Sequence, residues 1–585
     1  MIRLVSVRML CVVAGMLAVV GCQTTSAPSK SGSAPPAAGP AQPSETASAS
    51  SADAGSAPGS AGAPGAPLFD NLGSFKRPIT TSNPQAQRYF NQGMLLTFGF
   101  NHAEAGRSFR EAARLDPQCA MCWWGAALVM GPNINLPMSP DDAPEAYSAS
   151  RKAMGLLDNE TPVERALVNA LAKRYAEAAA PDRSALDLEY ANAMRDVAKQ
   201  FPNDADVQAL FAGSLMDLSP WDYYLADGKP KPTTVEVVQA IEQAKTLNAD
   251  HPGALHYYIH ALEASDPNRA VDEADRLWHL APGAGHLVHM PAHIYIRVGR
   301  YHDAVVSNLE ASAADKGYIE ACKVQGFYPL AYYPHNWHFV WAGSTLEGNR
   351  AQALEGASQT HHVMHGAPVD DPTFGPVLQH MMLAPVFAAV RFAQWDAIDA
   401  LPQPDAKQIY PTAIWHHARG MARAARGDLS GAERELAEVK RIQANPELAK
   451  LYVSTPNTAD KLVAVAAGML AGDIAARRKQ YPAAIAALEG ALRAEDSLRY
   501  NEPEDWQYPV RLFLGAVLLD AGRPVAAEAA YRGDLERHPE NGWALFGLEK
   551  ALRAQNKSAA ADEVHKRFET AWKYADVKLT SSVLR

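Results

Sequence analysis

The chain has 585 residues and a formal net charge of −10. At about 150 residues per domain this length divides into about four domains, unless repeats are present, because a solenoid lengthens by stacking and not by starting new cores. Abundant alanine and few β-branched runs favour helix over sheet, and interspersed charges without a concentrated Lys/Arg face argue against nucleic acid as a partner.

Arg3 and Arg8 flank a short apolar stretch from Met9 to Val20. It is too short to remain in a bilayer as a spanning helix and has the form of an export signal. The stretch ends at Val19-Val20-Gly21-Cys22, which resembles the bacterial lipobox. The resemblance implies a signal peptide over 1–21, a diacylglycerol thioether on Cys22, cleavage before Cys22 and acylation of the new amino group. Several acyl chains on one residue give stable anchoring where one does not. Gln23 stands where an aspartate would direct retention, so the family's sorting habit implies the outer membrane, facing the periplasm. From Thr24 to Pro67 the chain is almost only Ser, Ala, Pro and Gly. With nothing to bury, residues 22–67 are expected to form a disordered tether that supplies reach.

Helical periodicity begins near Gln85, and a spacing pattern begins with it. Gly93 is followed after twelve residues by Ala105, then by Phe109, Ala112 and Pro117, with Asn101-His102 as a turn between two helices. Gly515, Ala527, Tyr531 and Pro539 repeat the spacing near the other end. Ala240 and Pro252, then Ala270 and Pro282, keep the interval of twelve, and Gly299 to Ala311, Gly420 with Ala432, and Tyr481 to Ala491 are looser copies. This pattern resembles the tetratricopeptide repeat (TPR), in which small residues let paired helices approach, a large residue fills the gap and proline ends the second helix. The expected fold is an all-α, TPR-like solenoid of helical hairpins over 68–585. Leu218 to Thr234 and Pro368 to Pro376 read as loop insertions that distort it, and two lobes are expected, about 68–365 and 366–585.

Three longer runs narrow the resemblance. They are Ala120-Met121-Cys122-Trp123-Trp124-Gly125 with Gly131-Pro132-Asn133-Ile134-Asn135, then His251-Pro252-Gly253-Ala254 with His256-Tyr257-Tyr258-Ile259-His260, and Gly285-His286-Leu287-Val288-His289-Met290-Pro291-Ala292-His293. On these the region is similar to a subfamily of bacterial TPR lipoproteins. The resemblance implies the fold and leaves the chemistry open.

The histidines carry the functional signal. His286, His289 and His293 are spaced i, i+3, i+7, which places them within roughly 60° of one helix face. His256, His260 and Glu263 follow i, i+4, i+7 just upstream. His286 and His289 lie 18 and 15 residues before Ala304, His335 and His338 lie 18 and 15 before Ala353, and His417 lies 15 before Ala432. In TPR folds the first helix of each pair lines the groove, so the resemblance implies that these imidazoles face one another across neighbouring helices. Neutral imidazole with carboxylate suits zinc, copper or iron, and the same geometry suits acid/base work or a pH-sensitive patch. A hydrogen-bonded structural network that includes Tyr257, Tyr258 and Tyr295 is the third reading, and Pro291 is expected to kink the stripe between His289 and His293.

Cys119 and Cys122 form a C-x-x-C, expected to close as a local disulfide in an oxidising envelope, and Trp123 after it disfavours haem attachment. Cys322 reads as a buried thiol in a helix. His361, His362 and His365 near Met364, Met381 and Met382 read as an edge of the core. No phosphate-binding Gly-rich loop, nucleophile elbow or H-E-x-x-H is present in the sequence. The first expectation is therefore a tethered scaffold that binds a protein or peptide partner through its groove. The second is a zinc- or copper-binding protein, with metal-dependent chemistry as its further task, using His256, His260, Glu263, His286, His289, His293, His335 and His338.

Overall fold

The computed structural model describes residues 66–585 apart from 226–227, 323–326, 373 and 456. Cys22, the signal peptide and the tether up to residue 65 lie outside the described residues. The last two tether residues do not follow the expected disorder. Ala66 is buried, and the carbonyls of Ala66 and Pro67 accept hydrogen bonds from Tyr89 Oη and Gln92 Nε2, which hold this end of the tether on the body.

The first hairpin pairs α1 (Pro84–Phe98) with α2 (His102–Leu115). Each helix starts on an asparagine, Asn83 or Asn101, whose side-chain oxygen accepts from N–H groups of the first turn that have no partner within the helix. The chain continues through α3 (Ala120–Leu128), α4 (Ala143–Met154), α5 (Pro162–Leu171), α6 (Ser184–Gln200), α7 (Ala205–Met216) and α8 (Pro232–Leu247). Next come α9 (Pro252–Leu262), α10 (Val271–Leu280), α11 (Gly285–His289), α12 (Pro291–Arg297), α13 (Tyr301–Cys322) and α14 (Phe327–Glu347). The remainder is α15 (Arg350–Val363), α16 (Gly375–Met382), α17 (Ala384–Arg391), α18 (Trp395–Asp399), α19 (Ile409–Ala425) and α20 (Leu429–Gln443), then α21 (Ala459–Arg477), α22 (Tyr481–Asp496), α23 (Val510–Asp520), α24 (Pro524–Arg537), α25 (Gly542–Arg553) and α26 (Ser558–Ala571). Among the described residues there are isolated bridges but no strands.

Helices adjacent in sequence pack on one another, and alternate helices such as α1 with α3, α7 with α9, and α23 with α25 also touch, which is the stacking of a solenoid. The repeat spacing has a direct physical expression. Phe109 of α2 is wedged between Gly93 of α1 and Gly125 of α3, where a Cβ would come within 2.7 and 2.3 Å of its ring. At the other end Tyr531 of α24 sits in the same way between Gly515 of α23 and Gly547 of α25, at 2.4 and 2.2 Å. One large side chain thus joins its own hairpin to the next, and the two small residues set how closely the helices approach.

Buried apolar side chains form two continuous clusters, one running up to Phe339 and the other starting at Trp341, so the changeover falls inside α14. The residues between α7 and α8 form the expected insertion, closed by a bridge between Tyr224 and Pro230. A second irregular connection, between α22 and α23, carries Glu502, Trp506 and Tyr508 and includes a cis Glu502–Pro503 bond. Its reach has no local sign in the amino-acid order. Its Glu502 ends beside His293 of α12.

Candidate metal centre

Helix α9 lies at the middle of the first cluster, with every residue from Pro252 to Leu262 buried. It is started by His251, whose Nδ1 accepts from the Ala254 N–H at 3.0 Å while its Nε2 meets Asp206 at 2.9 Å. His256 and His260 project one turn apart from this helix toward α11, which brings His286. Pro291 divides α11 from α12, but Met290 between them keeps helical angles (φ −52, ψ −36), so the expected kink does not scatter the stripe.

The first trio is His256, His260 and His286, one nitrogen of each lying within 4.8 Å of the others. His256 Nδ1–H donates to the Phe98 carbonyl at 2.5 Å, and His260 Nδ1–H donates to Glu263 Oε1 at 3.1 Å. Both rings are therefore fixed with the lone pair on Nε2, which is the role of an outer acceptor behind a metal-ligating histidine. Those two Nε2 atoms are buried without a hydrogen-bond partner, and so are both nitrogens of His286. A buried polar atom left in that state costs roughly 1–3 kcal/mol. Burial holds His256 and His286 well below the ordinary imidazole pKa, with further help from the neighbouring imidazoles, so these rings stay neutral. Each neutral ring keeps one nitrogen without a proton, and three such nitrogens converging with no donor between them fit a cation.

Two bulky aromatics enclose this trio, both at positive φ. Phe100 (φ 56) lies 4.5 Å from the His256 ring and stacks on His260 and His286, and Trp221 (φ 61) meets His260 edge-on at 5.1 Å. A left-handed conformation is costly for such residues and persists where surrounding contacts impose it.

The second trio is His289, His293 and His335, again with one nitrogen of each within 4.8 Å of the others. His289 Nδ1 meets Asn308 Oδ1 at 2.7 Å, and the amide is held in that orientation because Asn308 Nδ2 donates to the Ala304 carbonyl at 2.7 Å. His293 Nδ1 faces two carboxylates, Glu263 Oε2 at 2.5 Å and Glu502 Oε2 at 3.1 Å. The Nε2 atoms of His289 and His293 are 2.9 Å apart. Burial opposes charge on His293, but Glu263 and Glu502 outweigh it and raise its pKa far above the ordinary value. Burial likewise opposes charge on Glu263, and His293 and His260 outweigh it and lower its pKa.

Seven of the eight side chains singled out in the sequence thus belong to one buried cluster. His338 does not. It stacks on Trp341 at 5.2 Å, and burial, then His380, lowers its pKa to about 3. His335 and His338 stand at the registers of His286 and His289, yet only His335 points at the rings of α11 and α12. His417 is satisfied by the Ala466 carbonyl and Tyr508 Oη, both at 2.9 Å. Cys119 and Cys122 form a disulfide, whereas Cys322 is only half-buried at the end of α13, not enclosed as expected. The cluster is enclosed and does not line an open groove: His256 is 0 % and His286 is 3 % exposed. Sequence reasoning missed the Phe98 carbonyl, Asn308 and Glu502, none of which has a local signature.

A cavity of about 320 Å³ reaches His286 from the side of α13 and is also lined by Gly285, Asp315, Tyr318 and Tyr328. Asp315 accepts from Tyr328 Oη at 2.8 Å and Asn336 Nδ2 at 2.7 Å, and burial pushes its pKa up to about 7. No helix among the described residues is long and apolar enough to cross a membrane.

No protein-family model matches the chain, and no curated protein matches it. Among solved structures it is similar to the APC/C hetero-tetramer Cut9–Hcn1, at 14% identity over 83% of this chain and 76% of that one, with a TM-score of 0.30. It is also similar to the human IFIT1 dimer with m7Gppp-AAAA (13% identity, 84% and 91% covered, TM-score 0.28) and to yeast Tom70 (12% identity, 84% and 91% covered, TM-score 0.25). Likenesses this loose carry no argument, and the solenoid architecture rests on the helix packing described above.

Proposed function

We propose that this protein is a metal-binding helical-repeat protein whose ion, zinc or copper, sits on His256, His260 and His286. The observation that carries the reading is the set of buried, partnerless nitrogens in this trio, two of them aimed by acceptors on the far side of their rings. All-nitrogen donor sets suit borderline first-row ions. Three protein ligands leave a coordination position free, and the cavity beside His286 gives a small molecule a way toward it. When bound, such an ion supplies Lewis acidity or, for copper, electron transfer.

The test is elemental analysis of the full chain after chelation, reloading with Zn(II) or Cu(II), and desalting. At least one ion per chain is expected, and His256→Asn with His286→Asn removes one equivalent. A chain that retains no metal overturns the reading.

The scaffold reading, with a protein or peptide partner, rests on the helical-repeat fold and would use other surfaces, because these histidines are enclosed. The lipid anchor on Cys22 and a position at the outer membrane belong to the same proposal, supported by the lipobox-like run Val19 to Cys22.

A further inference from the structure

We infer that the centre is dinuclear, with a second first-row transition ion on His289, His293 and His335 beside the first. The inference rests on the metal reading above and extends it to a separate donor set.

The second trio repeats the construction of the first. Each takes two histidines four residues apart on one helical face, His256 with His260 and His289 with His293, and a third from a later helix, His286 or His335. Both third members lie 18 residues before the small residue of the paired helix, Ala304 and Ala353, so the repeat itself places them equivalently. In each trio the Nδ1 atoms of the paired histidines are turned to acceptors outside the site. Asn308 is the acceptor for His289, and Glu263 with Glu502 face His293. The two Nε2 atoms face one another in a 2.9 Å hydrogen bond, unlike the partnerless nitrogens of the first trio, and an incoming ion takes the place of the shared proton, while His335 closes the third side with ring centroids 4.8 and 5.7 Å away. Ligand nitrogens about 2.0–2.1 Å from a tetrahedral ion lie about 3.3 Å apart, so a small outward shift of the pair admits one.

The two sites share walls. His286 and His289 rings are 5.6 Å apart, and His260 and His293 rings are 5.8 Å apart. Glu263 orients a histidine of each trio, Oε1 toward His260 and Oε2 toward His293. Two buried divalent ions on six imidazoles, His293 releasing its Nε2 proton to solvent as the ion binds, need negative charge close by, and Glu263 and Glu502 are the carboxylates in place to provide it.

Metal content of the reloaded full chain tests this directly, with the fold of each variant checked by circular dichroism. Two ions per chain are expected, falling to one in His335→Asn and to one in His286→Asn. Loading with two equivalents of Cu(II) is expected to give an electron paramagnetic resonance signal well below that of two isolated ions, restored to one full ion in His335→Asn. One ion per chain that survives His335→Asn and is lost in His286→Asn overturns the second site and leaves the single-ion reading standing. No bound metal overturns both.

Discussion

Glu263 Oε2 lies 2.5 Å from His293 Nδ1, while the other oxygen of the same carboxylate lies 3.1 Å from His260 Nδ1. One side chain at the end of α9 therefore orients a histidine on its own helix and another on α12. Its neutral isostere, Glu263→Gln, keeps the volume but removes the charge and one acceptor. Metal affinity is expected to fall by about 10–100-fold, measured by competition with a chromophoric chelator. An unchanged affinity would mean that the carboxylate supports the fold alone.

Trp221 is 40 % exposed and its ring is 5.1 Å from His260. Cu(II) bound at the first trio is expected to quench its fluorescence strongly. Trp221→Phe should remove that part of the quench while leaving metal content intact, a comparison made by titrating both proteins side by side.

Gly547 faces the Tyr531 ring so closely that a Cβ would sit 2.2 Å from Tyr531 Cζ. Gly547→Ala is expected to lower the midpoint of urea unfolding, with a cost of about 1–3 kcal/mol from forced repacking. Gly317→Ala, in a helix and with no atom within 4 Å of an added Cβ, is the control for crowding and is expected not to destabilise.

His538 meets Glu504 at 3.0 Å and Asp534 at 3.2 Å. Burial opposes its charge, but these carboxylates outweigh it and raise its pKa from 6.5 to about 10. A folded-state pKa above the unfolded one stabilises fully below pH 6.5 and ceases to do so as pH rises through about 10. Glu504 runs the other way: burial is outweighed by His538, and its pKa falls from 4.5 to about 2, so its contribution is present above pH 4.5 and is lost as pH drops toward 2. The stability difference between the parent and His538→Gln is expected to be largest between pH 4.5 and 6.5 and to shrink by pH 10, as read from urea melts across that range.

Cys22 lies outside the described residues, and its role is tested without coordinates. Palmitate labelling in a Gram-negative host is expected for the parent chain and absent in Cys22→Ser, which should also leave the membrane fraction. Labelling that persists in the variant rules out the lipobox.

The helical class, the hairpin repeat and the facing of His256 with His260 were legible in the amino-acid order, because helical periodicity and the Gly93–Phe109 and Gly515–Tyr531 spacings are properties of near neighbours along the chain. The disulfide between Cys119 and Cys122 is local in the same sense. Tertiary structure alone separated His335 from His338, although they stand at the registers of His286 and His289, since which ring meets which neighbour depends on how α14 packs against α11 and α12. It also supplied the acceptors that fix the orientation of the imidazole rings. The Phe98 carbonyl lies 158 residues from His256, and Glu502 reaches His293 from the connection after α22. Ring orientation is set by groups on the far side of each imidazole. Those groups come from segments remote in sequence, brought together only by packing.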